Sequence, residues 1–197
     1  RCNQGCYSRL REFKTQRCTV NALVGRERRL EIIPANVVKK VLVVGGGPAG
    51  MEAARVAAMR GHQVILFEKE NELGGQLRIA SIPHFKKDIK RLIEYLQTQI
   101  KKLDVKIELG KEICFDFIKR IQPDVVIVAT GAKPFIPNIK GIDKPIVHTA
   151  IDILTGKKQT VGNIVVAGGG MVGCETALYL AENGKKIIII EMMGEIG

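Results

Sequence analysis

The chain has 197 residues, 46% hydrophobic and 26% charged, with 31 Lys and Arg against 20 Asp and Glu for a formal charge of +11. That length allows one domain or two small ones, and the composition excludes a disordered chain; collagen is excluded because the 21 glycines keep no triplet period. No apolar run approaches the roughly 18 residues of a membrane span, and no secretory pattern opens the chain, so the expected location is cytoplasmic, with no membrane partner. The basic surplus is uneven: residues 1–40 hold ten Lys and Arg against three Asp and Glu, or +7. With no Trp and 5% aromatics, few side chains could stack on exposed bases, so no nucleic-acid partner is expected. The surplus reads as a solvated face or as compensation of anionic cofactors.

In chain order, the first feature is Cys2, Cys6 and Cys18, spaced C-x3-C-x11-C. Three thiolates are one short of a closed four-cysteine site. An iron–sulfur cluster, a zinc ion and unligated thiols all stay open, although irregular spacing without His speaks against a zinc ribbon. Cys114 and Cys174 are scattered and expected as inert buried thiols. An odd total in a chain of this type does not describe a disulfide framework.

Val41–Val44 is a short apolar run suited to a strand buried on both faces. Pro48–Arg60 is Ala-rich and helical, and Gly61 is placed to end it. Val64–Phe67 is the next strand and Asn71–Pro83 a loop. A helix near Lys86–Lys101, a strand at Val105–Glu108, a buried strand at Val125–Ala129 and a loop at Lys133–Lys144 follow. The chain closes with strand Ile164–Ala167, helix Met171–Asn183 and strand Ile187–Ile190. The last three repeat the first three. Residues 41–68 and 164–191 align without a gap at an offset of 123, and eleven of 28 positions are identical, among them Gly45/Gly168, Gly47/Gly170, Gly50/Gly173, Glu52/Glu175, Gly61/Gly184 and Glu68/Glu191.

Gly45-Gly46-Gly47-Pro48-Ala49-Gly50 fits G-x-G-x-x-G. The first Gly permits the tight turn, the second lets backbone approach a pyrophosphate, and the third permits close helix–strand packing. The helix start offers free N–H groups and a positive dipole end. Glu68, 23 residues after Gly45, suits a carboxylate that bonds ribose hydroxyls. Gly168, Gly170, Gly173 and Glu191 repeat the scheme. A bland alternative is two structural Gly turns in an α/β protein. Strand, turn, helix and acid are all present twice, which favours two dinucleotide sites. A carboxylate at Glu191 would repel a 2′-phosphate and so favours NADH over NADPH.

These features resemble the paired FAD and NAD(P) domains of two-dinucleotide-fold flavoprotein reductases. Glu72-Leu73-Gly74-Gly75-Gln76-Leu77 is similar to the loop beside FAD, and Val125–Ala132 to the strand and Ala-Thr-Gly turn against it. The resemblance implies FAD contacts from Gly45, Gly47, Pro48, Ala49, Gly50, Glu68, Lys69, Gly74, Gly75, Gln76, Ala129, Thr130 and Gly131. It implies NAD(P) contacts from Gly168, Gly170, Met171, Val172, Gly173, Glu175 and Glu191. Glu175 would approach the nicotinamide or serve as an ordinary helix residue. No redox cysteine pair lies near either turn, which disfavours a dithiol mechanism.

The cysteine stretch resembles the 2,4-dienoyl-CoA reductase branch of the old-yellow-enzyme-type NADH:flavin oxidoreductases, related to bile-acid-inducible oxidoreductases and trimethylamine dehydrogenase. That family's C-x2-C-x3-C-x11-C holds a [4Fe–4S] cluster, so Cys2, Cys6 and Cys18 are implied metal ligands, the first of four lying upstream. Ala22 stands where the family often has Pro. The implied fold is α/β with two Rossmann-type units. Residues 1–38 form the cysteine loop and linker, 39–159 the first part of the FAD-binding domain, and 160–197 the first βαβ of the NAD(P)-binding domain. The opening Arg1-Cys2 and the 38 residues from Thr160 onward lead to the expectation of a fragment. Its partners would be an N-terminal FMN barrel and a C-terminal remainder of the same polypeptide, with self-association left open.

The implied role is electron input. NADH would deliver hydride to FAD, and the cluster would carry single electrons to FMN in the barrel, where a small enoyl-type molecule is reduced. No side-chain acid, base or nucleophile is expected in the hydride transfer. Two alternatives remain: a module like the small subunit of glutamate synthase, and a non-catalytic cofactor-binding fragment.

Overall fold

The structure, a computed structural model, describes residues 5–197. These fall into two compact units, residues 5–77 with 88–131, and residues 78–87 with 132–197. The division departs from the sequence boundaries at 38 and 159. Residues 132–159 group with the second unit, where α6 (Ala150–Leu154) packs on α7 (Met171–Glu182), and residues 5–38 group with the first.

The first unit is built on a four-stranded parallel sheet of β1 (Lys40–Val44), β2 (Gln63–Phe67), β3 (Lys106–Glu108) and β4 (Val125–Val128), in the order β3-β2-β1-β4. β1 is central, with Val41 opposite Val64 on one side and Val125 on the other. Its middle residues Val41, Leu42 and Val43 are buried, as expected for a strand covered on both faces. The helices α2 (Pro48–Met59) and α4 (Asp88–Lys102) lie in the parallel crossovers. Met51, Ala54 and Ala57 of α2 and Ile93, Leu96 and Ile100 of α4 share one core with Val41, Val43, Val64 and Leu66. Both helices bury residues three and four apart, the spacing that makes one apolar stripe. Each fully buried side chain of the size of Met51, Leu66 or Ile100 contributes roughly 1.5–3 kcal/mol by leaving water. Elsewhere in this unit, the ring of Phe117 in α5 (Phe115–Ile121) meets that of Phe67 edge-on at 5.4 Å.

Proline at the first position of α2 sets its entry, and Gly61 at φ +87° ends it. The exit bonds are Gly61 N–H to Ala58 O and His62 N–H to Ala57 O, a glycine-terminated helix end. The second unit repeats this. Beside its α7, β5 (Ile164–Ala167) and β6 (Ile187–Ile190) pair in parallel. Gly184 at φ +77° ends α7, with Gly184 N–H bonded to Ala181 O and Lys185 N–H to Leu180 O.

Four sequence expectations are corrected. The strand at 125–129 is not buried on both faces: it lies at the sheet edge and leaves Val128 73% exposed. The expected loop 71–83 contains α3 (Gln76–Ala80), and a 3-10 turn at His84–Lys86 precedes α4, which starts two residues late. Helices α1 (Tyr7–Arg11), α5 and α6 were not expected. Cys114 is exposed because it caps the start of α5 instead of packing beside a strand, and Cys174 is half-buried, its thiol donating to Gly169 O at 3.0 Å.

Candidate functional site

In the first unit the chain leaves β1 through Gly45 at φ +109°. A Cβ there would fall 2.3 Å from Ala129 O, so both the dihedral and the approach of β4 demand glycine. A Cβ on Gly50 would lie 1.8 Å from Gly45 O: α2 sits on the turn with no room for a methyl. Gly47 differs. It caps α2 with ordinary extended backbone (φ −71°, ψ −178°), and its Cβ would meet only Gly75 Cα, at 4.0 Å. Its bare surface is a cradle that a side chain would fill without disturbing the fold.

Glu68 closes this turn from the end of β2. The buried carboxylate accepts Gly46 N–H at 2.6 Å through Oε2 and Glu70 N–H at 2.9 Å through Oε1. Gly74 N–H donates to Gly46 O at 2.9 Å, and Leu73 Cδ2 occupies the space beside Gly46. Gly75, at φ +51°, stands against Gly47. Ala129 N–H bonds Val44 O, and Gly131 (φ +76°) turns the chain away. The structure therefore gathers Gly45, Gly47, Pro48, Gly50, Glu68, Gly74, Gly75 and Ala129 around one turn. Lys69, Gln76 and Thr130 are exposed nearby in sequence.

The second unit has the same geometry. Gly168 is at φ +104°, and Gly170 caps α7 at φ −72°, ψ 179°. A Cβ on Gly173 would lie 1.9 Å from Gly168 O. Glu191 accepts Gly169 N–H at 2.6 Å through Oε2, and Met192 and Met193 N–H at 2.7 and 2.9 Å through Oε1. These bonds hold its carboxyl below the usual carboxylate range, that from Met193 foremost, then those from Gly169 and Met192. Ile196 fills the place of Leu73 beside Gly169, and Gly197 N–H donates to Gly169 O at 2.7 Å, as Gly74 does to Gly46. Met171 and Val172 are exposed on the first turn of α7, and Glu175 is half-buried on its second.

Leu73/Ile196 and Gly74/Gly197 extend the repeat at the same offset of 123 past the aligned acids. Sequence reasoning stopped at Glu68 and Glu191 and missed Ile196 and Gly197; the offset itself, with Glu72/Glu195 also identical, was the available signal.

The chain segments that carry Cys6 and Cys18 meet at their backbones. Arg17 N–H donates to Gly5 O at 2.7 Å, and a Cβ on Gly5 would fall 2.6 Å from Arg17 O and 3.4 Å from Cys18 Cα. Both thiols are free and half-buried. The third expected ligand, Cys2, lies outside the described residues. Among the described residues no group of three or more His, Cys, Asp or Glu is gathered for a metal. Thiols are the right donor type for a thiolate-held iron–sulfur or zinc group. A cavity of about 540 Å³ in the first unit lies between α2 and residues 35–39 and includes none of the residues of the glycine turn. Its apolar lining offers none of the turn's backbone donors, so the candidate site is the turn. Among the described residues no helix is long and apolar enough to cross a membrane.

Comparison with known proteins agrees with this geometry. The family described as pyridine nucleotide-disulphide oxidoreductase matches residues 39–197. Bilirubin reductase of Mediterraneibacter gnavus is 47% identical over 99% of this chain and 30% of its own length. Cinnamate reductase of Clostridium sporogenes is 44% identical over 99% of this chain and 29% of its own. The solved complex of a 2-naphthoyl-CoA reductase superposes with a TM-score of 0.95 at 42% identity, covering 99% of this chain and 30% of that one. The chain thus spans about 30% of the length of these relatives.

Proposed function

The chain belongs to the pyridine nucleotide-disulphide oxidoreductase family, and from that premise we propose that it is the electron-input module of a flavin oxidoreductase. FAD binds at the first glycine turn, NADH at the second, and a [4Fe–4S] cluster at Cys2, Cys6 and Cys18 leads to FMN in a barrel elsewhere in the polypeptide. The module comprises the cysteine loop, the first part of an FAD-binding domain from residue 39, and the opening βαβ of an NAD(P)-binding domain from residue 160. Bound there, the cofactors supply the redox chemistry: hydride from the nicotinamide, uptake and one-electron release by the flavin, and single-electron conduction by the cluster.

The observation that carries this reading is the duplicated bonding pattern. In both units the turn's middle glycine donates N–H to the acid of the following strand at 2.6 Å, and the residue two beyond that acid donates at 2.9 Å. The acids are thereby fixed in rotamer beside the turn. A carboxylate offers about four lone-pair directions. Glu68 spends two on its own backbone and Glu191 three, which leaves both able to accept from ribose hydroxyls. The unpaired N–H groups at the starts of α2 and α7 suit pyrophosphate oxygens. Gly47 and Gly170 let those oxygens come close. Glu191 cannot swing away from an added 2′-phosphate without losing three hydrogen bonds, which favours NADH over NADPH.

The relatives named for bilirubin, cinnamate and 2-naphthoyl-CoA reduction support an unsaturated, enoyl-type acceptor, reduced outside these 197 residues. The test is an anaerobic absorption spectrum of the full-length protein, with released flavin identified, iron counted and NADH added. The expected result is FAD and FMN together, about four iron atoms per chain, and bleaching by NADH. Absence of FAD, or bleaching by NADPH alone, overturns the assignment of the turns; FAD without iron overturns the cluster.

A further inference from the structure

The cysteine segment carries a donor without an acceptor. Among the buried side-chain nitrogens and oxygens of the described residues, Nε of Arg26 is the one that has no hydrogen-bond partner. A guanidinium N–H shut away from water and left unpaired costs the desolvation of a donor on a charged group, so a folded chain ordinarily gives it an acceptor. The neighbouring residues do not supply one. Nη2 of the same side chain donates to Ala22 O at 3.2 Å, which serves one corner of the fork and not Nε. Glu27, the next acid in the chain, turns Oε1 to Gly25 N–H at 3.0 Å instead.

The backbone folds Arg26 back onto the stretch that leads into Cys18. Asn21 starts a turn: its Oδ1 accepts Leu23 N–H at 3.0 Å and its carbonyl accepts Val24 N–H at 3.3 Å, and Arg26 N–H then donates to Leu23 O at 2.8 Å. The chain returns so far that a Cβ on Gly25, at φ +69°, would stand 3.5 Å from Gln16 O. The next residue, Arg17, is the one whose N–H is bonded to Gly5 O. Three short stretches that lead into Cys6, Cys18 and Arg26 therefore meet at their backbones. A ligating thiolate is an anionic acceptor, and a guanidinium N–H answers both its charge and its lone pairs. Hydrogen bonds to sulfur and the net charge around it are what set the reduction potential of a thiolate-held cluster.

We propose that Arg26 is the hydrogen-bond donor to the thiolate sulfurs of the metal group at Cys6 and Cys18: its Nε–H is given to sulfur, and its charge favours the reduced, more negative form of that group. The proposal rests on the reading of these cysteines as cluster ligands. Arg26 exchanges neither electron nor proton, because a guanidinium stays charged; it moves only the equilibrium between the oxidised and reduced forms.

The test is an anaerobic potentiometric titration of the full-length, iron-loaded protein, with the reduced cluster followed by its electron paramagnetic resonance signal. R26M removes charge and donor at similar length. It should shift the reduction equilibrium about tenfold toward the oxidised form, a fall in midpoint of about 59 mV for one electron, while flavin content and flavin midpoints stay as in the unaltered protein. R26K keeps the charge without the Nε–H and should show a smaller fall. An unchanged cluster midpoint in R26M overturns the proposal. Should R26M hold no cluster, R26K decides: a lowered midpoint supports the proposal, and an unchanged midpoint or a lost cluster overturns it, leaving Arg26 a structural residue. Absence of iron from the unaltered protein removes the cluster reading itself, and so is distinct from iron present at a midpoint that Arg26 does not move.

Discussion

Gly47 and Gly50 are three residues apart in one motif, yet the structure assigns them opposite work, and alanine separates the two. At Gly50 the new Cβ would lie 1.8 Å from Gly45 O, against the 3.0 Å below which real Cβ contacts essentially do not occur. Helix α2 or the turn must therefore give by about 1.2 Å, in a place where the obstacle is backbone and cannot rotate aside. Overpacking of that kind costs about 3 kcal/mol, which lowers the melting temperature by roughly 6–12 °C in a cooperative unit of this size. At Gly47 the backbone is ordinary and the nearest atom is 4.0 Å away. The cap preference for Gly over Ala and the unfolded-state entropy gained by Ala nearly cancel, to within about 0.5 kcal/mol. Its methyl would occupy the approach of the pyrophosphate, so FAD affinity should fall at least about tenfold, or 1.4 kcal/mol. Thermal unfolding of the flavin-stripped full-length protein reads the first effect and flavin fluorescence titration the second. If G47A binds FAD normally, the turn is a structural device and not a binding site. If G50A melts at the unaltered temperature, the account of helix packing is wrong.

The same split is expected in the second unit, where a Cβ on Gly170 meets nothing within 4 Å and one on Gly173 would sit 1.9 Å from Gly168 O: G170A should lose NADH affinity while keeping its fold and its FAD, and G173A should lose stability. Backbone N–H groups of Met193, Gly169 and Met192 depress the folded pKa of Glu191, so its stabilising bonds are complete above the unfolded carboxylate value of about 4.3 and are lost as pH falls through the depressed folded value. Thermal shift curves of E191Q and the unaltered protein should accordingly converge as pH drops from 5 toward 3; a gap that stays constant would refute the linkage. G5A places a Cβ 2.6 Å from Arg17 O, which should push the Cys6 and Cys18 segments apart. Anaerobically reconstituted G5A should then hold less than about half the iron of the unaltered protein if both thiolates are ligands, whereas full iron loading would remove that pair from the metal site.

The strands and helices of the repeat were legible because their signals are local: apolar runs of four, a proline that starts a helix, and glycines at Gly61 and Gly184 that end one. What escaped depends on neighbours distant in sequence. Val125–Val128 reads as doubly buried because four apolar residues in a row carry no information about sheet order, and only that order puts β4 at an edge. α5 is seven residues long, too short for a periodic signal, and its ring contact is with Phe67, far back in β2. The same holds for Cys114: without α5 its position at the helix start is invisible, and the sequence alone reads as a packed thiol. The glycines and acids of the candidate site were legible by spacing. The hydrogen bonds that fix Glu68 and Glu191 were not, because the donors lie on loop backbone. Lys86, paired with Glu175, had no local signal at all, since that partner is 89 residues away.

The repeat also separates what any dinucleotide requires from what one particular dinucleotide requires. On the proposed reading, the features kept in both copies would serve parts common to FAD and NADH: glycine where a pyrophosphate would approach, N–H groups at the helix start, and a carboxylate that would lie beside a ribose. Where the copies part, the differences sit around these shared groups. After Glu68 come Lys69 and Glu70; after Glu191 come Met192 and Met193, followed by Gly194 and Glu195. No cation follows Glu191 in that stretch to meet a 2′-phosphate, and this strengthens the preference that the carboxylate alone implies. One turn into the helices, Arg55 is exchanged for Leu178, and the neutralising charge arrives on Lys86 instead. A local Arg–Glu pair moves with its own helix. A Lys–Glu pair made across 89 residues holds only while residues 78–87 stay packed on α7, so the charge facing the second turn depends on that segment and the charge facing the first turn does not.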